Sequence, residues 1–115
     1  SRDNAEVDKY VNDPYCGFVC TTGFFYDLLT GLKAIEKKEN VALVPKTLPI
    51  LIFSGALDPC GNNGKGVTKL YNTYKKHGIT DVTLKLYPEA RHEVLNETNR
   101  DEVMKDFLAW VDSHI

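Results

Sequence analysis

Leu48-Pro49-Ile50-Leu51-Ile52-Phe53 runs straight into Ser54-Gly55-Ala56-Leu57-Asp58-Pro59-Cys60-Gly61. The first six residues are almost continuously apolar, the pattern of a strand buried on both faces of a parallel sheet. The next eight are turn chemistry, with an Asp-Pro pair between glycines. Asn62-Asn63-Gly64-Lys65-Gly66 prolongs the loop. It lacks the spacing and the following Ser or Thr of a phosphate-binding loop, so it reads as a connector. Beyond it, Val67, Leu70, Tyr71 and Tyr74 mark the apolar face of a helix from Val67 to His77, closed by Gly78. Asp81 to Tyr87, D-V-T-L-K-L-Y, alternates as a second strand. The charged loop Y-P-E-A-R-H-E-V-L-N-E, Tyr87 to Glu97, follows it. A last helix carries Val103, Phe107, Leu108, Trp110 and Val111 on its predicted buried side.

Strand, helix, strand in that order predicts an α/β unit, with the strands parallel and the crossover right-handed. Both post-strand loops then open at one carboxyl edge, where open α/β sheets bind ligands. Asp58 lies in the first of these loops and His92 in the second. A carboxylate beside an imidazole accepts the Nδ1 proton, fixes the tautomer and leaves Nε2 free as a base. Such a base activates a serine hydroxyl, a weak nucleophile by itself. That serine belongs on a G-x-S-x-G strand-to-helix turn, ahead of the acid and the histidine in chain order. The serines are Ser1, Ser54 and Ser113, and none has that setting. Ser54 stands in I-F-S-G-A, without the first glycine, and Cys60 shares the loop of Asp58 with no elbow pattern. Acid and base are present; the nucleophile is not.

Working backwards, residues 4–12 read as a short helix ending at Asp13-Pro14, since the residue before proline is pushed out of the α region. Thr21 or Thr22 can cap a second helix. Its apolar positions Phe24, Phe25, Leu28, Leu29, Leu32 and Ile35 follow a 3.6-residue period, and the pattern breaks at Asn40. Stripes of this kind usually pack in a core; the sharper alternative is a wall for an acyl chain.

At 115 residues, with 43% hydrophobic and 26% charged side chains, the chain suits a single globular domain. A net charge of −2 and no basic run argue against nucleic acid. The longest apolar run, Pro49 to Phe53, is too short for a transmembrane segment. Cys16, Cys20 and Cys60 read as reduced thiols of a cytoplasmic protein. Cys16-x3-Cys20 could be half of a metal site, but no second ligand pair completes it, so neither metal nor cofactor is expected. Asn96-x-Thr98 matches a glycosylation triplet that a cytoplasmic setting would leave unused. His77 and His114 sit at predicted helix ends, where a cation is mildly favoured, and carry no assigned chemistry. The chain opens without an initiator methionine on polar residues in mid-pattern, which suggests a piece of something longer.

The segments I-L-I-F-S-G-A-L-D-P, G-V-x-x-L-Y-x-x-Y-K-K-H-G, L-K-L-Y-P-E-A-R-H-E-V-L-N-E and F-L-A-W-V together resemble the C-terminal part of α/β-hydrolases. The resemblance is to the monoacylglycerol lipase or lysophospholipase type, also called serine aminopeptidase-like hydrolases, and covers residues 48–115. It implies that Asp58 in G-A-L-D-P is a triad acid and His92 in A-R-H-E the triad base. Residues 1–40, with C-G-F-V-C-T-T-G-F-F-Y-D-L-L, look like a helical cap or lid over an acyl pocket, to which Phe24, Phe25 and Leu28 would contribute. Residues 41–115 are then the C-terminal α/β portion of the core.

The resemblance implies a serine ester hydrolase whose nucleophile, oxyanion hole and earlier strands precede Ser1. Its substrate would be a lipid or small ester, such as a lysophospholipid or monoacylglycerol. The isolated chain is expected to be inactive, since losing the nucleophile leaves at most residual catalysis. The rival expectation is a non-catalytic α/β binding or self-association module. A small parallel sheet cannot cover its own edges. Either way the expected partner is the missing N-terminal half or a second copy in a homo-oligomer.

Overall fold

The structure is a computed structural model that describes residues Ser1 to Ile115. Three helices come first. Helix α1 spans Asn4–Asn12, and the Asp3 carboxylate caps it by accepting from the Ala5 and Glu6 N–H groups. Helix α2 spans Thr22–Ile35 and is capped by Thr21, whose hydroxyl accepts from the Phe24 N–H. These caps satisfy donors that have no partner within the helix. Helix α3, Lys38–Ala42, is short and was not predicted. Asn40, expected to break the pattern, lies inside α3, and its side-chain amide donates to the Ala34 carbonyl near the end of α2.

Strand β1 spans Ile50–Gly55, helix α4 Lys65–Lys76 and strand β2 Val82–Tyr87. A one-turn 3-10 helix at Val94–Asn96 precedes helix α5, Arg100–Asp112. The predicted strand, helix, strand order is present, with shifted boundaries. β1 starts one residue after Pro49, which has no N–H to give a ladder. It also continues through Ser54 and Gly55. Helix α4 begins two residues before Val67, directly after Gly64, whose φ of +80° is a left-handed conformation that glycine adopts freely.

The two strands are parallel and in register from Ile50 opposite Val82 to Gly55 opposite Tyr87. They end flush, so their following loops leave the sheet side by side. The core lies beyond that end, where Tyr87, Ala90, Val94 and Val103 are buried together and Phe53 packs against them. Helix α5 is held along β2 by polar contacts. The Trp110 indole N–H donates to the Thr83 hydroxyl at 3.2 Å, and His114 Nε2 lies 3.1 Å from Asp81.

Three expectations about burial are corrected. Helix α2 buries no residue, so its apolar stripe is not core within this chain. On α5, Val103 is buried and Trp110 and Val111 are half-buried, but Phe107 and Leu108 are exposed. Ile50 to Phe53 are half-buried, short of the two-sided burial expected of β1. Each correction has one cause: a two-stranded sheet offers too little surface to cover every apolar face packed around it. No helix is long and apolar enough to cross a membrane.

Candidate active site

The flush strand ends bring the two loops into contact. The Ala56 N–H donates to the Tyr87 carbonyl and the Leu57 N–H to the Ala90 carbonyl, both at 2.9 Å. Gly55 makes this approach possible. A Cβ there would lie 2.2 Å from the carbonyl oxygens of both Ala90 and Arg91, too close for any side chain.

Asp58 is buried in the first loop. Its Oδ1 accepts the Cys60 N–H at 2.9 Å, an Asx turn that fixes the carboxylate to its own loop. Its Oδ2 lies 3.1 Å from His92 Nδ1. Burial alone would raise the Asp58 carboxyl. The hydrogen bonds from the His92 ring, Cys60 N–H and Gly61 N–H outweigh it and hold the group below its ordinary value. Asp58 is therefore ionised at neutral pH. An ionised carboxylate only accepts, so the His92 tautomer with its proton on Nδ1 donates to it. Nε2 makes no hydrogen bond, and 62% of the His92 side chain is exposed.

Beside His92 is an open cavity of about 420 Å³. His92 and Asn96 line one side, and Ser1, Glu6, Val7 and Tyr10 line another. Helix α1 therefore walls the space next to the imidazole. It is tied there by charge: Arg100 pairs with Asp3 and Glu6, and Arg2 pairs with Glu97 at 2.9 Å. Glu97 was not singled out in the sequence. It is fully buried. Burial would raise its carboxyl, but N–H donors from Arg91 and Arg2 and the Arg2 charge bring it down to about 2. Its spacing gives no signal, because its cation is 95 residues away along the chain.

The other sequence candidates lie elsewhere. Phe24 and Phe25 stack edge-to-face at 5.4 Å on α2, each half exposed, with Leu28 similarly open. They do not line the cavity beside His92. The Ser54 hydroxyl is buried and donates weakly to the Gly55 carbonyl at 3.4 Å. Cys60 is exposed, and Asp58, Cys60 and His92 place one possible ligand atom each within 4.8 Å of one another. Three such donors are one short of a structural zinc set. Cys16 and Cys20 are not part of this group.

Residues 1–99 match the family described as serine aminopeptidase, S33. The chain belongs to this hydrolase family. A monoacylglycerol lipase of Mycolicibacterium smegmatis is 30% identical over 118 residues, covering all of this chain and 39% of that protein. A solved structure of a highly thermostable carboxyl esterase from Bacillus coagulans, in complex with glycerol, superposes with a TM-score of 0.87 at 30% identity. The match covers 96% of this chain and 36% of the esterase. The S33-family chain thus spans well under half the length of these relatives, and its parallel strands and helices match part of an α/β-hydrolase.

Proposed function

We propose that residues 1–40 form a cap and residues 41–115 the C-terminal core portion of a serine hydrolase acting on carboxylic esters. Asp58 orients His92, and His92 serves first as general base and then as general acid. The observation that carries this reading is the Asp58–His92 contact at 3.1 Å, with the carboxylate buried, ionised and fixed by the Cys60 N–H. A carboxylate so placed holds the proton on Nδ1 and stabilises the imidazolium that forms when Nε2 takes a proton. The lipase and esterase relatives support an ester, of the monoacylglycerol or lysophospholipid kind, as the substrate class. Phe24, Phe25 and Leu28 contribute an apolar wall for the acyl chain once the remainder of the enzyme faces α2.

No serine of this chain stands in a G-x-S-x-G setting, so the nucleophile comes from sequence upstream of Ser1 and the 115 residues alone do not turn over. The test is a protein extended upstream, exposed to a fluorophosphonate probe. Labelling of the extended protein and none of the 115-residue chain is expected. In the extended protein, Asp58→Asn should lower ester turnover roughly 10⁴-fold, the scale seen when a triad histidine loses its tautomer control. An extended protein that carries a G-x-S-x-G turn and stays unlabelled would overturn the reading. Hydrolysis of aminoacyl anilides in preference to monoacylglycerol would move the substrate class from ester to peptide.

A further inference from the structure

We propose that Glu97 is a positioning residue for His92, clamping the backbone beside the imidazole to Arg2 so that α1 and the His92 loop hold one geometry. The consequence for catalysis rests on the acid–base reading above; the geometric claim does not.

The His92 loop is anchored at Ala90 and Val94 in the core and at the His92 ring on Asp58, but the main chain between them has few bonds. Of the backbone N–H groups from Arg91 to Glu93, only that of Arg91 finds a hydrogen-bond partner, and that partner is Glu97 Oε1 at 2.8 Å. Glu89, just upstream, is a non-glycine residue at φ +61°, a conformation that costs energy and persists only when neighbours enforce it. The Ala90 N–H donates to the Pro88 carbonyl across it at 2.7 Å, and Glu97 reaches the exposed Glu89 side chain only through Arg2. The Glu97 carboxylate accepts the Arg2 N–H at 3.2 Å and the Arg2 Nε–H at 2.9 Å, and Oε2 also accepts from Thr98 N–H at 3.4 Å. The Arg2 guanidinium continues to Glu89 at 3.3 Å and Asn99 at 3.0 Å.

Every partner of Glu97 is a donor, so the position calls for a group that accepts on both oxygens. Only an ionised carboxylate does so. A glutamine would turn an NH₂ against one of these donors inside a buried site, where an unpaired donor is costly. The clamp therefore specifies its own chemistry: one buried anion, one arginine from the start of the chain, and the backbone N–H next to the imidazole.

The test reads the imidazole directly, in the ¹⁵N-labelled 115-residue chain. Wild type should show the ring nitrogen shifts of the Nδ1-protonated tautomer, with the Nδ1 proton protected from exchange. Glu97→Gln should mix the tautomers and speed that exchange at least tenfold, and Arg2→Gln should act in the same direction. Arg2→Lys should restore part of the protection, and Glu36→Gln, at the exposed residue just past α2, should change nothing. Should Glu97→Gln fail to fold, the two Arg2 variants carry the comparison. Folded variants whose His92 ring matches wild type would overturn the proposal. An extended protein that fails to label with the fluorophosphonate would remove the hydrolase reading and leave this ring result standing.

Discussion

Phe25 on α2 and Val103 on α5 are both apolar residues on helices with one apolar side, yet Phe25 is half exposed and Val103 is fully buried. The helices themselves formed for local reasons, the Thr21 hydroxyl capping α2 and backbone bonds carrying both. Burial is not local. It needs a facing surface, and Tyr87, Ala90 and Val94 at the end of β2 provide one for Val103. Helix α2 packs chiefly on short α3, which is too small to cover its stripe. Residues 1–12 show a third situation: α1 buries no residue, and its attachment is ionic, through Arg2–Glu97 and Arg100 with Asp3 and Glu6. The site beside His92 thus has one wall held by packing and another held by charge.

Gly55→Ala would break this arrangement most severely. The added Cβ would meet two carbonyl oxygens of the His92 loop, and backbone cannot step aside as a flexible side chain can. A loss of about 3 kcal/mol in urea unfolding is expected, at the upper end for overpacking. The ring signal of a His92 bonded to Asp58 should vanish with it. A tolerated alanine would mean that the two loops do not approach as described.

A paired truncation would sharpen the contrast between the helices. Val103→Ala removes fully buried methyl groups and should cost roughly 2 kcal/mol. Leu28→Ala removes a larger side chain from α2 and should cost less than about 0.5 kcal/mol, as surface changes usually do. Equal costs would show that α2 is packed in solution, through self-association, which light scattering on the same samples would reveal.

A pH dependence touches both the packed and the ionic regions. In the fold Glu97 titrates at about 2, and Asp58 and Glu6 are also lowered from their ordinary values. A lowered carboxyl stabilises the fold above the unfolded value, 4.5 for Glu97, and that stabilisation drains as pH falls toward about 2. Tyr87 behaves in the opposite sense. Burial, the bond to Asp106 and the charges of Asp106 and Glu102 push its phenol up to about 12. Its contribution is full below pH 10 and lost as pH rises from 10 to about 12. The contributions of these carboxyls and of Tyr87 are therefore constant from about pH 5 to 10. In urea unfolding, the slopes on either side should be roughly 1 kcal/mol or less per pH unit for each buried group. Glu97→Gln should flatten the acid slope, and Tyr87→Phe the alkaline one.

Much of the site was legible because its signals are local. The apolar run before Ser54 and the alternation from Val82 to Tyr87 identify strands, and the turn residues after each show where the chain leaves the sheet. The helix between them makes the strands parallel, which puts Asp58 and His92 at one edge before any coordinate is consulted. Glu97 was hidden for the opposite reason. In the charged loop Glu89 to Glu97 its carboxylate looks like its neighbours, and only its contacts with Arg2 and the Arg91 N–H separate it from Glu93 on the surface. Helix α3 was hidden too, because Asn40 reads as a breaker until its amide is seen bonded to Ala34.

What the order of residues determined by itself is the element sequence, the shared direction of β1 and β2, and the two post-strand loops that carry Asp58 and His92. These follow from periodicity, turn chemistry and the handedness of the chain, all of which act over a few residues at a time. What only the tertiary structure decided is which apolar faces find cover, which carboxylate is buried, and that the start of the chain is pinned to the His92 loop. Those outcomes depend on which surfaces meet across some 95 residues of separation, and no local pattern encodes that.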